Sequence, residues 1–391
     1  MDILFSLLEQ YYDEMVEIRR YLHQYPELSH EEVETPKYIA QYHRLLGHEV
    51  REGVGGRGVV AKLVGMKPGK TVALRADFDA LAIQEQNDVP YKSKIDGRMH
   101  ACGHDGHTAT LLVLAKALNQ MKDELEGTIV FIHQFGEEIA PGGAIAMIED
   151  GCLDGVDVIF GTHLWTPEPV GQVAIRSGEF MAAADGFYIT INGKGGHGAK
   201  PQETKDSIVI GSQFVMAAQQ LLGRRVNPVH AAVVSICHFE ALNPFNVIAD
   251  SVKIKGTVRT FNEETRDQIE AELEEVLKAS CHLYKASYDY NFVRGYDPVI
   301  NDEALTNFFL EQVKETPQVD HIVISDPEMG GEDYGYYLQK VPGIFFFTGA
   351  NTPGEENFPH HHPKFRINER SLLVAANTLG KLTLSYLDTY N

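Results

Sequence analysis

The chain has 391 residues, too many for one compact core, so two domains are expected; 43% are hydrophobic and 23% charged, an ordinary globular composition. A formal net charge of −21 excludes electrostatic capture of nucleic acid or of an anionic membrane, and no stretch is apolar for long enough to span a bilayer. Four scattered cysteines (Cys102, Cys152, Cys237, Cys281) argue against a disulfide framework, and MDILFSLLEQYYDEM lacks the parts of a secretory signal, so a cytoplasmic protein is expected.

Apolar spacing predicts helices over residues 5–24 and 35–46, then strands at GVVAKLVG and TVALRADF. A buried helix over 108–120 follows, then strand GTIVFIHQF, a helix over 144–149 and strand VDVIFGTHL. This alternation is that of an α/β domain whose mixed sheet carries helices on both faces. Near residue 182 the texture changes. DGFYITINGKGGHG reads as a strand entering a glycine loop, followed by a helix over 204–223, strands AAVVSICHFEA and DSVKIKGTVRTF, a helix over 263–284 and strand ASYDYNFVRGY. That order is the split βαβ of a ferredoxin-like α+β domain. From Pro298 the α/β texture returns, with a helix near 302–315, strand GIFFFTGA and a helix over 369–388. The expected organisation is a discontinuous catalytic domain, 1–181 and 295–391, with a smaller domain, 182–294, inserted in it.

Two glycine motifs are rejected. GVGGRG at 53–58 matches the dinucleotide pattern in letters, but a strand follows it where a helix N-terminus must receive the pyrophosphate. GMKPGKT is one residue short of a P-loop, and both motifs read as hairpin turns.

The chemistry-bearing residues are dispersed. MHACGHDGH offers Cys102, His104, Asp105 and His107; alternate residues of an extended loop, Cys102 and His104, can point at one ion. Strand GTIVFIHQF leads to Gly136-Glu137-Glu138, VDVIFGTHL ends near His163, and FPHHHPKF supplies further histidines. In open α/β sheets such groups converge at the carboxyl ends of strands. Taken singly, each residue fits a structural role; together, a thiolate, imidazoles and carboxylates suit an open catalytic metal site better than a closed structural one. Of two adjacent carboxylates, one can bind metal while its neighbour takes a proton from metal-bound water and passes it to the leaving amine.

At this point the sequence resembles the M20 metallopeptidases, in particular the branch of hippurate hydrolases and N-acyl-L-amino-acid amidohydrolases. The likeness runs through RRYLHQYPELSHEE, LRADFDAL, MHACGHDGHTA, GEE, GTH, GKGGHGAKP, NVIAD, GTVRTF, GGEDYGYY and HHHPKF, in the family's order. It implies two divalent ions per subunit (zinc, manganese, cobalt or nickel) held by Cys102, His104, Glu138, His163 and His361, with Pro363 setting the register of the last. It also implies Glu137 as general base and Asp79 as the carboxylate that orients a metal-binding histidine. The inserted domain resembles the family's lid and dimerisation domain, which implies a homodimer or higher homo-oligomer. There His197 would steady the tetrahedral oxyanion, and Asn246 and Arg259 would bind the substrate's carboxylate. Gln202, Ala82 and Ala249 replace the family's His, Pro and Pro, which touches specificity rather than the ligands or the base. The expected reaction is hydrolysis of an N-acyl amino acid to a carboxylic acid and an amino acid. Dipeptidase or aminopeptidase action at the same site is the alternative, and a non-catalytic metal-binding scaffold the third reading, disfavoured by Glu137.

Overall fold

The computed structural model describes residues 1–390, which divide into two compact units. The first comprises Met1–Phe180, Ile300–Asp326 and the chain from Asp333 onward; the second comprises Met181–Val299 and Pro327–Glu332. Relative to the sequence reading, the second unit extends beyond residue 294 and reclaims a short segment from the returning chain.

The first unit is built on an eight-stranded mixed sheet. In spatial order its strands are Glu49–Val54, Gly58–Val64, Glu126–Gln134, Lys67–Asp77, Val158–Pro169, Gly343–Asn351, Gln172–Ile175 and His321–Ile324. The four from Glu126–Gln134 to Gly343–Asn351 run parallel, so their carboxyl ends lie on one side. Their apolar centres, including Val72–Leu74, Ile129, Phe131, Val158–Phe160 and Ile344–Phe346, are buried, as strands covered on both faces must be. Thr162 and Leu164 line a small cavity with Leu111 and Ala375 of helices His104–Gln120 and Arg370–Tyr390. Gly161, on the opposite face, lies where a Cβ would come within 2.6 Å of the Tyr334 ring. The sheet is therefore packed from both sides.

GVGGRG is a hairpin turn, with Val54 in register opposite Gly58. GMKPGKT is not: Glu126–Gln134 lies between the strands that flank it, and Gly65 donates to Gly127 rather than closing a hairpin. The predicted helix over 5–24 is interrupted at Tyr11 (φ −95°), giving Asp2–Gln10 and Tyr12–Gln24. Three strands of the eight-stranded sheet, Glu49–Val54, Gln172–Ile175 and His321–Ile324, escaped prediction, because a polar edge strand and two four-residue segments carry little periodicity.

The second unit has a four-stranded antiparallel sheet in the order Ala232–Glu240, Ser251–Thr260, Ala183–Asn192, Ser287–Tyr296. Helices Ser207–Ala218 and Glu263–Tyr284 pack on it, placing Ile210, Phe214, Ile269, Leu273 and Leu277 against Phe187, Ile189, Val252 and Ile254. Ile269, Leu273 and Leu277 recur every four residues, the spacing that puts one helix face into the core. Asn262 caps the longer helix, its Oδ1 accepting from the Thr265 N–H at 2.9 Å. The strand–helix–strand–strand–helix–strand order is that of a ferredoxin-like domain.

Candidate metal centre

Four segments supply the candidate ligands at the carboxyl side of the parallel strands. Strand Lys67–Asp77 runs on to Asp79, and Glu126–Gln134 turns at Gly136 into Glu137 and Glu138. Gly136 has φ +67°, and a Cβ there would meet the His30 ring at 2.6 Å, so this turn needs glycine. His163 lies within strand Val158–Pro169, paired with Phe347, rather than at a strand end as the sequence suggested. Nor is the Cys102–His104 stretch extended. Gly103 is left-handed (φ +95°) and caps helix His104–Gln120, so that reversal, not strand alternation, aims both side chains at one place. His361 also has a left-handed backbone (φ +65°), uncommon for a residue with a Cβ, and its N–H donates to Ala101 O at 2.8 Å.

The ligand atoms of Cys102, Glu138 and His361 lie within 4.8 Å of one another, as do those of His104, Glu137 and Glu138, and of Cys102, His163 and His360. Cys102 and Glu138 each belong to two groups, so the five expected ligands form one connected cluster. Glu138 Oε2 is 3.2 Å from His361 Nε2, and Cys102 Sγ is 3.4 Å from His163 Nε2. Two buried atoms in the cluster, His104 Nε2 and Glu138 Oε1, have no hydrogen-bond partner among the described residues; they face each other across 3.8 Å. Leaving such groups unsatisfied is costly unless something bridges them, and a divalent cation fits an imidazole nitrogen opposed to a carboxylate oxygen.

The electrostatics agree. Burial disfavours a charged His104, yet Asp77, Asp79 and Glu138 overcome it and raise its pKa to about 10. Burial, followed by Glu138, Glu137 and Asp77, pushes the Cys102 thiol well above the ordinary range. The carboxylates' part in both shifts is negative charge that a cation would neutralise, releasing the His104 nitrogen and stabilising the Cys102 thiolate.

The ligand tautomers are set by neighbours. His104 Nδ1 donates toward Asp79, 3.0 Å from its carbonyl and 3.2 Å from Oδ1, so Nε2 is the nitrogen bared once a cation displaces the second proton. Asp79 Oδ2 also accepts from Ser29 Oγ at 2.6 Å and from the Glu138 N–H at 2.9 Å, tying two candidate ligands to one carboxylate. His163 Nδ1 donates to Leu164 O at 2.9 Å, which likewise bares its Nε2.

His107, although grouped with Asp77 and His104, has neither nitrogen left for a metal. Its Nε2 accepts from the Leu164 N–H at 2.9 Å and its Nδ1 donates to Asp77 at 2.6 Å. Arg75 holds Asp77 at 2.6 Å and Asp333 at 2.8 Å. This buried chain fixes the peptide following His163. A second support lies under the Cys102 loop, where Asp105 Oδ2 is 2.8 Å from both Arg19 Nε and His23 Nδ1. Sequence reasoning named His107 among the chemistry-bearing residues without giving it a role, and did not single out Asp77, Arg19 or His23. The Asp-x-Asp spacing of LRADFDAL could have flagged Asp77, because residues two apart in a strand share a face.

The second unit carries the other predicted residues. His197 and Asn246 adjoin: Gly198 N–H donates to Asn246 O at 2.9 Å and His197 pairs with Val247. A Cβ on Gly198 would lie 3.0 Å from Asn246 O, which explains a glycine beside the histidine. His197 is exposed, with Nδ1 accepting from the Ala199 N–H at 3.0 Å. Arg259 is partly buried, its Nε donating to Met329 O at 3.1 Å and its Nη1 to Val258 O at 3.0 Å.

Residues 73–385 match the model of peptidase family M20/M25/M40. The chain is 54% identical over 380 residues to YhaA of Bacillus subtilis strain 168, provisionally named an amidohydrolase, covering 97% of this chain and 96% of that one. It is 44% identical over 295 residues to an N-acyl-L-amino acid amidohydrolase of Geobacillus stearothermophilus, covering 75% and 80% of the two chains. Among solved structures, Bacillus subtilis YXEP, described as a dinuclear metal-binding peptidase of the M20 family, superposes with a TM-score of 0.83 at 36% identity, covering 97% of this chain and 99% of that one.

Proposed function

The chain belongs to peptidase family M20/M25/M40, and on that premise we propose that it hydrolyses the amide bond of N-acyl amino acids at a two-metal centre. The observation that carries this reading is the facing pair of buried atoms unpartnered among the described residues, His104 Nε2 and Glu138 Oε1, in a cluster completed by Cys102, His163 and His361. Three ligand groups, joined in a row through Cys102 and Glu138, suit two ions. Thiolate and imidazole favour zinc, cobalt or nickel, while the carboxylates also admit manganese.

When bound, the ions supply Lewis acidity that polarises the acyl carbonyl and acidifies water. Glu137 Oε2, 3.9 Å from His104 Nε2, stands at the edge of the cluster. There it takes the proton of the attacking water and delivers it to the departing amine nitrogen, which cannot leave as an anion. Asp79 keeps His104 and Glu138 in place, limiting the reorganisation needed during the reaction. On the second unit, Nδ1 of a neutral His197 is an acceptor, so its hydrogen is on Nε2, a donor suited to a developing oxyanion. Among the described residues no carboxylate lies within ion-pair distance of Arg259, whose Nη2 is suited to a substrate carboxylate, with Asn246 as second donor. The second unit is proposed as a lid and as the contact of a homodimer.

The Geobacillus relative's name supports the substrate class. The test is a panel of N-acetyl and N-benzoyl amino acids and dipeptides presented to metal-reconstituted protein. Preferential release of amino acid from the acylated set supports the proposal, preference for dipeptides favours the peptidase reading, and turnover of none overturns both.

A further inference from the structure

His360 precedes the expected ligand His361 and sits close enough to Cys102 and His163 to be taken for a ligand itself. Its surroundings point elsewhere. The Thr166 backbone N–H donates to His360 Nε2 at 3.2 Å, and a backbone amide can only donate, so Nε2 holds a lone pair. In the neutral ring the hydrogen must then be on Nδ1. That atom faces Cys102 Sγ at 3.7 Å, within N–H···S range. The ring cannot readily turn over, because it stacks on Trp165 (centroids 4.7 Å apart, planes 25° apart) and packs against Phe365 (4.9 Å). Trp165 is itself stacked on Phe347 at 4.3 Å.

We propose that His360 is a positioning residue that donates an N–H···S hydrogen bond to the Cys102 thiolate instead of binding metal. The inference rests on the metal-centre reading above and adds a control on its one sulfur ligand. A hydrogen bond to a thiolate draws charge from sulfur, weakens its donation to the metal and leaves the metal the stronger Lewis acid. His163 and His360 thus meet the same sulfur with opposite polarity. His163 presents a bare Nε2 and serves as a fellow ligand, whereas His360 presents Nδ1–H.

Cobalt(II) provides the readout, since its thiolate charge-transfer band reports the electron richness of sulfur independently of turnover. Asparagine places an amide N–H near Nδ1, whereas glutamine reaches the Nε2 position and leaves sulfur without its donor. Wild-type protein and His360→Asn should therefore share a band position, and His360→Gln should absorb at longer wavelength, all three binding the same number of cobalt ions. Loss of one equivalent from both variants would make His360 a ligand and overturn the inference, as would a His360→Gln band that does not move. If wild-type protein shows no sulfur-to-cobalt band, the metal-centre reading falls and this inference with it; a wild-type band insensitive to His360 sinks the inference alone. Should His360→Gln fail to fold, ¹⁵N spectra of histidine-labelled wild-type protein decide: a hydrogen on Nδ1 supports the inference, and one on Nε2 refutes it.

Discussion

Replacing His107 tests whether the ligand cluster depends on residues that never touch a metal. The side chain is buried and satisfies two groups, the Asp77 carboxylate at 2.6 Å and the Leu164 N–H at 2.9 Å. His107→Asn places an amide N–H near the lost Nδ1 and preserves the first contact. It leaves the buried Leu164 N–H without an acceptor, at a cost of about 1–3 kcal/mol. His107→Phe removes both contacts. Losing a hydrogen bond to a charged group costs about 1.5–3 kcal/mol, but Arg75 still holds Asp77 at 2.6 Å, so the added loss belongs at the lower end. Stability should fall in the order wild type, Asn, Phe, and metal affinity should fall with it, because the freed peptide is the one that fixes His163. Urea unfolding followed by tryptophan fluorescence reads this locally: Trp165 is the only tryptophan and lies 5.6 Å from the His163 ring. A His107→Asn protein within about 0.5 kcal/mol of wild type, the range of ordinary surface substitutions, with unchanged metal affinity, would refute the reasoning.

Other outcomes follow from the same geometry. Glu137→Gln should keep its metal content while kcat falls by about 10²–10⁴, the usual worth of a general base; undiminished turnover removes Glu137 from that role. Cys102→Ser should lose metal to a chelator faster than wild type, and identical retention strikes Cys102 from the ligands. Acid should destabilise the protein through a buried histidine row, in which His43 is 2.9 Å from both His48 and His133. Burial lowers all three pKa values, to about 4 for His48 and about 3 for His133. Below the unfolded value of about 6.5 the unfolded chain takes up protons that the folded chain refuses. This contribution is therefore intact above pH 6.5 and lost toward pH 4. His43→Leu should flatten the dependence of the urea midpoint on pH in that window, and an unchanged slope contradicts the assignment.

The parts of this molecule legible in the sequence were those with a strong local pattern. Residues 144–149 and 263–284 form the helices their periodicity predicted, and the ligand motifs announced themselves through unusual residue types at short spacing. What escaped was set by contacts distant in sequence. Nothing local distinguishes His107, held by Asp77 and Leu164, from His104, held by Asp79 with its other nitrogen available to a cation. Three consecutive histidines, 360–362, are told apart in the sequence only by their distance from Pro363; a left-handed backbone at His361 and a Thr166 amide against His360 separate them physically. Sheet order was equally hidden at GMKPGKT, because pairing with Glu126–Gln134 depends on a segment about sixty residues later.

The most direct test of the central claim is a metal titration of depleted protein, following both bound ion and hydrolysis of an N-acyl amino acid that the panel shows to be turned over. Hydrolysis should be absent in excess chelator, rise with added cobalt(II) or manganese(II), and level off at two equivalents per chain. Turnover that persists in chelator, or two bound ions with no hydrolysis of any substrate in the panel, would contradict the account.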